Sequence, residues 1–406
     1  MLGMTGRRRT RYLISIKESE PIMNKSMAAA ALLALTLAWP GNSAGAEGAA
    51  AWAASEGGAN PVQKPASGKM GSGADVYNAL QQGIAREAKA ACSRLPHDSR
   101  VACLARAFED TLAPEQRKAI RYPFTAKHAV DWSYFPLEEA PRNGISLGSM
   151  SPASLEAFKA LAAEALGPHG YHTMKAVLLA DQAEQEASGN PKWDSRFYHV
   201  AFLGDPSDSS PWMLQISGHH LAVNRTYHTR EQGLTPMFVG IEPRISAAGG
   251  RTYGPMEGRL QAAYELFRSL EPDQLAAAQL EEKFEEVLLG PGRDARFPEH
   301  EGLPYSHLDD KQKRKVREAV TGWAIDAHPS DMPQLLADYF SEEALDRTYI
   351  GWSGSLDDKE PGSYLRIEGP RLWIESVVKR EAAMPGRGHV HSVWRDRKAD
   401  YGGCFF

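Results

Sequence analysis

Apolar and polar positions alternate in blocks along the chain. From Asp75, DVYNALQQGIAREAKAAC and RVACLARAFEDTLAPEQRKAI place apolar residues at helical spacing. WSYFPLEEAPRNGISLGSM is irregular, punctuated by aromatic residues, Pro and Gly. SPASLEAFKALAAEAL then predicts a helix with Ser151 as N-cap, Pro152 at its first position and Gly167 as its stop. GYHTMKAVLLADQAEQEAS predicts another. The pattern changes at RFYHVAFLGDP, a strand, and PWMLQISGHHLAVNRTYHTREQGLTPMFVGIEPRIS holds one or two more, rich in β-branched and aromatic residues. Helical spacing returns in MEGRLQAAYELFRSL, PDQLAAAQLEEKFEEVLL, DDKQKRKVREAVTGWAIDAH and MPQLLADYFSEEAL. The chain ends in TYIGWSGS, SYLRIEGPRLWIESVVK and HVHSVWRD, with a hairpin turn predicted at Glu368-Gly369-Pro370. Helices, a β block, helices and a second β block argue for an α+β fold. An antiparallel or mixed sheet would carry both β blocks, flanked by helices.

Composition refines this picture mainly at the N-terminus. Met23-Asn24-Lys25 precedes the apolar run SMAAAALLALTLAW, and SAGAEG offers a small-residue cleavage site ending at Ala46. That is the pattern of a secretory signal, with residues 1–22 as an extra N-terminus. The run is too short and Ala-rich to span a bilayer, and no cysteine follows it to carry a lipid. Residues 47–74 read as a flexible Gly/Ala/Ser-rich linker, and 75–406 as a single α+β domain. The expected location is periplasmic or secreted, with no stable membrane insertion after cleavage. A net charge of -5 over 406 residues argues against a nucleic-acid partner. There are 3 cysteines. Cys92 and Cys103 flank a predicted turn, where export would permit a disulfide. Cys404 is left over, and no pair has zinc-ribbon spacing.

The chemistry concentrates in histidines, of which there are 13. His219 and His220 are adjacent in SGHHLAVN, and His389 and His391 alternate in GHVHSVWRD. Alternate strand residues share a face, so His389 and His391 would point the same way. Adjacent ones would diverge, so one of His219 and His220 would join them unless Gly218 marks a bulge. Glu375, an acid in the apolar run LWIESV, needs a partner if buried. It is a candidate ligand, general base or orienter of a ligating imidazole. Arg142, in the irregular EAPRNGISL beside Asn143, is a candidate to hold a substrate carboxylate. Asn224 and Arg225 lie near the histidine pair. Arg395 and Asp396 are expected to pair at a strand end. Asp400 falls in a tail expected to fray. Imidazoles with or without a carboxylate suit one zinc, copper or iron ion. Nucleotide-binding glycine loops and H-E-x-x-H are absent from the sequence.

WSYFPLEEAPRNGISL, WMLQISGHHLAVNRTY, TPMFVGIEP, EGRLQAAYELFRSLEPDQ, GLPYSHLDDKQK and the tail YLRIEGPRLWIES…GHVHSVWRDRKADYG occur in the order seen in the domain of unknown function 3500 family, which this chain resembles from about Leu104 to Tyr401. The resemblance implies an exported bacterial protein with one continuous domain, and it carries over no activity. Gly388 stands where the family carries Asn, and ESVVKRE replaces a Tyr-Asp-Asn-like run. The functional expectation therefore rests on the residues. It is an exported metal-binding protein acting on a small, possibly anionic molecule by hydrolysis or oxidation. The alternatives are a non-catalytic periplasmic ligand-binding protein and a scaffold with structural histidines.

Overall fold

The computed structural model describes residues 90–137 and 139–406. The expected signal peptide, linker and most of the helix from Asp75 lie outside them. The helices are α1 (His97–Asp110), α2 (Pro114–Ala119), α3 (Ala126–Ala129), α4 (Pro152–Ser188), α5 (Glu257–Arg268), α6 (Pro272–Ala277), α7 (Asp310–Ala324), α8 (Met332–Tyr339) and α9 (Glu342–Asp346). The strands are β1 (Arg121–Tyr122), β2 (Ile145–Ser146), β3 (His199–Leu203), β4 (Trp212–Ser217), β5 (Leu221–Tyr227), β6 (Met237–Ile241), β7 (Ser246–Ala248), β8 (Arg251–Tyr253), β9 (Leu303–Pro304), β10 (Tyr349–Ser353), β11 (Tyr364–Glu368), β12 (Leu372–Lys379) and β13 (His389–Asp396).

Two meanders join into one sheet. Its order is β1-β3-β4-β5-β6-β13-β12-β11-β10-β9, with β2 paired to β3. The pair β1–β3 is parallel and makes the sheet mixed. The antiparallel pairing of β6 with β13 splices the two β blocks, setting His391 opposite Gly240. This is the α+β arrangement that the block order predicts.

Alternation along the strands sorts side chains onto two faces. Val200, Leu214, Val223, Ile374 and Trp394 pack with α1, α4, α5 and α7 through Phe108, Leu161, Leu260 and Trp323. The opposite face carries Met213, Phe238, Trp373, Val377 and Val393. It is covered by irregular segments bearing Trp132, Tyr134, Phe284 and Leu289. Each such Leu or Phe, fully buried, contributes about 1.5–3 kcal/mol. His389 and His391 share Val393's parity, so they belong to this second face.

α4 follows its sequence closely. Ser151 caps it, its hydroxyl accepting from the Ser154 amide at 3.1 Å. Gly167, at φ 67° and ψ −177°, breaks it into two helical pieces. Cys92 and Cys103 form a disulfide.

Three expectations are corrected. The helix read over 272–289 stops at Ala277. Ala278 and Leu280 instead exchange backbone hydrogen bonds with Trp352 at the sheet edge, at 3.0 and 2.8 Å. The chain from there to Leu289 then runs irregularly across the second face. MPQLLADYFSEEAL makes two helices, because Ser341 caps a new one at Ala344. The tail is packed rather than frayed. Tyr401 is buried, donates to Asp294 at 2.5 Å and accepts from the Trp132 indole at 2.7 Å. Among the described residues, no helix is long and apolar enough to cross a membrane.

Candidate metal centre

The histidines meet at one end of the sheet. Gly218, His219 and His220 form the turn between β4 and β5, so the strand rule of opposite faces does not govern the histidine pair. Two glycines shape this corner. A Cβ on Gly218 would lie 2.2 Å from the Tyr198 ring, so Tyr198 packs beneath the turn because residue 218 lacks a side chain. Its hydroxyl accepts from the His220 amide at 3.1 Å and donates to Asp181 at 2.5 Å. A Cβ on Gly240 would lie 2.6 Å from the His220 ring and 3.0 Å from that of His391. The space left by that missing methyl is where the two imidazoles converge.

Each of these imidazoles is held through Nδ1 by an oxygen. His220 Nδ1 is 2.6 Å from Asp181 Oδ1. His389 Nδ1 is 2.9 Å from the Arg380 carbonyl and 3.1 Å from Glu242. His391 Nδ1 is 2.9 Å from Glu286. A carbonyl and a carboxylate only accept, which assigns the proton to Nδ1 and leaves a lone pair on Nε2. The Asp181 carboxyl itself is raised by burial, against which Tyr198's hydroxyl and Arg142's charge act. Tyr198 donates to its Oδ2, and its Oδ1 faces His220 Nδ1. The Nε2 atoms face inward. Those of His389 and His391 are 2.9 Å apart, and His220 Nε2 is buried with no hydrogen-bond partner among the described residues. One ligand atom from each of His220, His389 and His391 lies within 4.8 Å of the others. Burial lowers His220 and His389 well below the ordinary imidazole range, so both are neutral. Neutral imidazoles that donate outward through Nδ1 and present Nε2 inward are the standard disposition of metal-ligating histidines.

The partners are anchored in turn. Three successive amides, Ala382, Ala383 and Met384, donate to Glu242 at 2.8–3.1 Å. Burial would raise Glu286, but His391, Lys379 and the Val287 amide hold it down at about 2. The family model described as Protein of unknown function (DUF3500) matches residues 96–403, which contain every residue of this corner.

The chain belongs to that family. No curated protein and no solved structure matches it.

The remaining candidates of this DUF3500 chain fall into different places. His219 lies beside the centre. Its ring stacks on Trp193 at 4.2 Å and lies tilted against His220 at 3.8 Å, with Nδ1 3.1 Å from the Tyr134 carbonyl. Glu375 does not join the histidines. It is fully buried and accepts from the Leu288 and Leu289 amides at 2.7 Å, Tyr364 at 2.7 Å and Trp373 at 3.0 Å. Those four donors fill its lone pairs and pin the segment that carries Glu286. Arg142 points into the protein. Its guanidinium binds the carbonyls of Ala140, Ser133, Phe135 and Gly218, tying the irregular segment to the histidine turn. Burial lowers it to about 10, so it stays cationic. Asn143 and Asn224 both bond Gln215. Arg395 and Asp396 do not pair with each other: Arg395 meets Asp294 and Asp400, and Asp396 accepts from Tyr339 and Arg371.

Asp181, Glu184, Glu242 and Glu286 are functional candidates that sequence reasoning passes over. Asp181 and Glu184 sit in AVLLADQAE and Glu242 in FVGIEP, isolated acids in apolar runs. That is the same signal that singles out Glu375. Glu184 is fully buried, and both of its oxygens find no hydrogen-bond partner among the described residues. Burial, with Asp181 and Glu242 nearby, pushes it up to about 9.

Proposed function

We propose that this is an exported metalloprotein whose His220, His389 and His391 hold one transition-metal ion through Nε2, in a hydrolytic centre. The observation that carries this reading is the set of Nδ1 partners, which turns the Nε2 atoms of three imidazoles toward one point. The Nε2 atoms of His389 and His391 are already 2.9 Å apart, close to the spacing that a shared ion would set. Tetrahedral bonds of 2.0–2.1 Å would separate ligating nitrogens by roughly 3.3 Å, a shift of a few tenths of an ångström. Three imidazoles without a carboxylate suit zinc with an open fourth position, better than the two-histidine, one-carboxylate set of non-haem iron. Bound there, the ion supplies a hydroxide near neutral pH.

The protein's own part is positioning. Asp181, Glu242 and Glu286 fix the three tautomers, and Tyr198 and Gly240 fix ring placement. His389 and His391 are 7% and 5% exposed, which restricts access to a small molecule or a slender group of a larger one. The disulfide Cys92–Cys103 and the apolar N-terminal run support export.

Metal analysis of untagged protein tests the centre. Wild type is expected to retain stoichiometric zinc, and His389→Ala plus His391→Ala to lose the ion held there. Unchanged metal content in the double variant would overturn the assignment. A metal-free wild type that binds a small acid would favour a non-catalytic binding protein.

A further inference from the structure

A second group of ligand atoms adjoins the first. One oxygen of Glu184 and a nitrogen each of His219 and His220 lie within 4.8 Å of one another. Glu184 Oε2 is 4.0 Å from His220 Nδ1. Glu184 is wholly buried, and both oxygens lack a hydrogen-bond partner among the described residues. The contrast with its neighbours is sharp. Asp181, one helical turn earlier on α4, receives Tyr198 and His220. Glu242 receives three amides. A buried carboxyl group with neither donor nor cation is costly, and the Tyr198 hydroxyl and His220 Nδ1 nearby are taken by Asp181. His219 repeats the pattern of the other three histidines. Its Nδ1 meets a backbone carbonyl, so its Nε2 carries the lone pair. Trp193 and His220 on its two sides fix its ring.

We propose that Glu184 and His219 hold a second divalent ion beside the three-histidine position, making the centre dinuclear with His220 between the two ions. The inference deepens the metal reading and rests on it for the neighbouring ion. A carboxylate that can bind through both oxygens, together with one imidazole, makes a harder donor set than three imidazoles. It suits zinc, manganese or iron(II) rather than copper(I). Water completes its coordination. An ion held there would act as a Lewis acid on a carbonyl or phosphoryl oxygen, beside the hydroxide that the first would supply. The substrate class is therefore an ester, amide or phosphoester with an accessible oxygen.

Equilibrium dialysis of the full chain against zinc, after chelator stripping, separates the two ions. Wild type is expected to bind two per chain, Glu184→Gln and His219→Gln one each, and His389→Ala plus His391→Ala to lose the three-histidine ion. Thermal unfolding of the stripped proteins checks that the isosteric Gln at 184 leaves the fold intact, and His219, at the turn, provides an independent route if it does not. One ion in wild type and one in Glu184→Gln would overturn the second position while leaving the three-histidine centre standing. No ion in wild type would overturn both readings. Two ions in Glu184→Gln, or none, would overturn Glu184 as the second ion's ligand.

Discussion

A histidine becomes a metal ligand when its other nitrogen is committed, and at residue scale this corner consists of such commitments. Asp181, Glu242 and Glu286 come from a helix, a strand end and an irregular segment, and each meets one Nδ1. Gly240 belongs to the same set, since its missing side chain leaves the room that two rings occupy. Gly240→Ala would place a methyl 2.6 Å from the His220 ring and 3.0 Å from the His391 ring. Zinc affinity is expected to fall on the order of 10–100-fold, as when the partners of ligating histidines are disturbed. Competition with a chromophoric chelator measures it, and wild-type affinity would show that the two rings do not share an ion. His389 and His391 are legible in the sequence because a period of two puts both on one face. Their carboxylates are not. Glu242 and Glu286 lie more than a hundred positions before them, and no local pattern encodes their approach. What the sequence does show is an acid inside an apolar run, a demand for a partner that remains unnamed until the chain folds.

Elements that obey their pattern and one that does not build the site together. Ser151, Pro152 and Gly167 delimit the first piece of α4 as the capping chemistry requires, because caps and stops act through neighbouring backbone groups. PDQLAAAQLEEKFEEVLL has helical spacing, yet only its first residues are helical. Its later amides find better partners elsewhere: Leu280 on Trp352, then Leu288 and Leu289 on Glu375. Local spacing is blind to that competition, and the irregular path it produces delivers Glu286 to His391. Glu375 therefore acts on this element. Glu375→Ala would strand two amides, the Tyr364 hydroxyl and the Trp373 indole, at a cost of about 3–5 kcal/mol by analogy with other broken buried networks. Urea unfolding of the metal-stripped protein is expected to show that loss. A variant of wild-type stability that has lost its zinc would instead return Glu375 to the ligand set.

At the scale of the molecule, the block order foretells an α+β sheet but not its splice. The pairing of β6 with β13 brings His220 and His391 together across a separation that only the closed sheet spans. The same closure buries the C-terminal segment, and there it leaves a signature in pH. Asp400 accepts from the Asp396 amide at 2.9 Å and lies 3.5 Å from Arg395, with Thr235, Tyr401 and Asp294 around it. Burial outweighs the arginine and pushes its carboxyl from 3.8 up to about 7. The folded protein thus holds this proton more tightly than the unfolded chain does. Below pH 3.8 both states are protonated and the contribution is fully present. As pH rises toward 7, the unfolded chain ionises first, and stability falls until the folded carboxyl ionises as well. Three units correspond to about 4 kcal/mol at most. Asp131, raised by burial to about 6, adds to the slope with the same sign, and Glu286, held at about 2, acts with the opposite sign at lower pH. The difference between wild type and Asp400→Asn isolates the one group. Urea midpoints at several pH values from 4 to 7 are expected to fall more steeply in wild type than in the variant. Parallel slopes would mean that the carboxyl of Asp400 titrates alike in the folded and unfolded chain, and that the tail is not packed as the Tyr401 contacts place it.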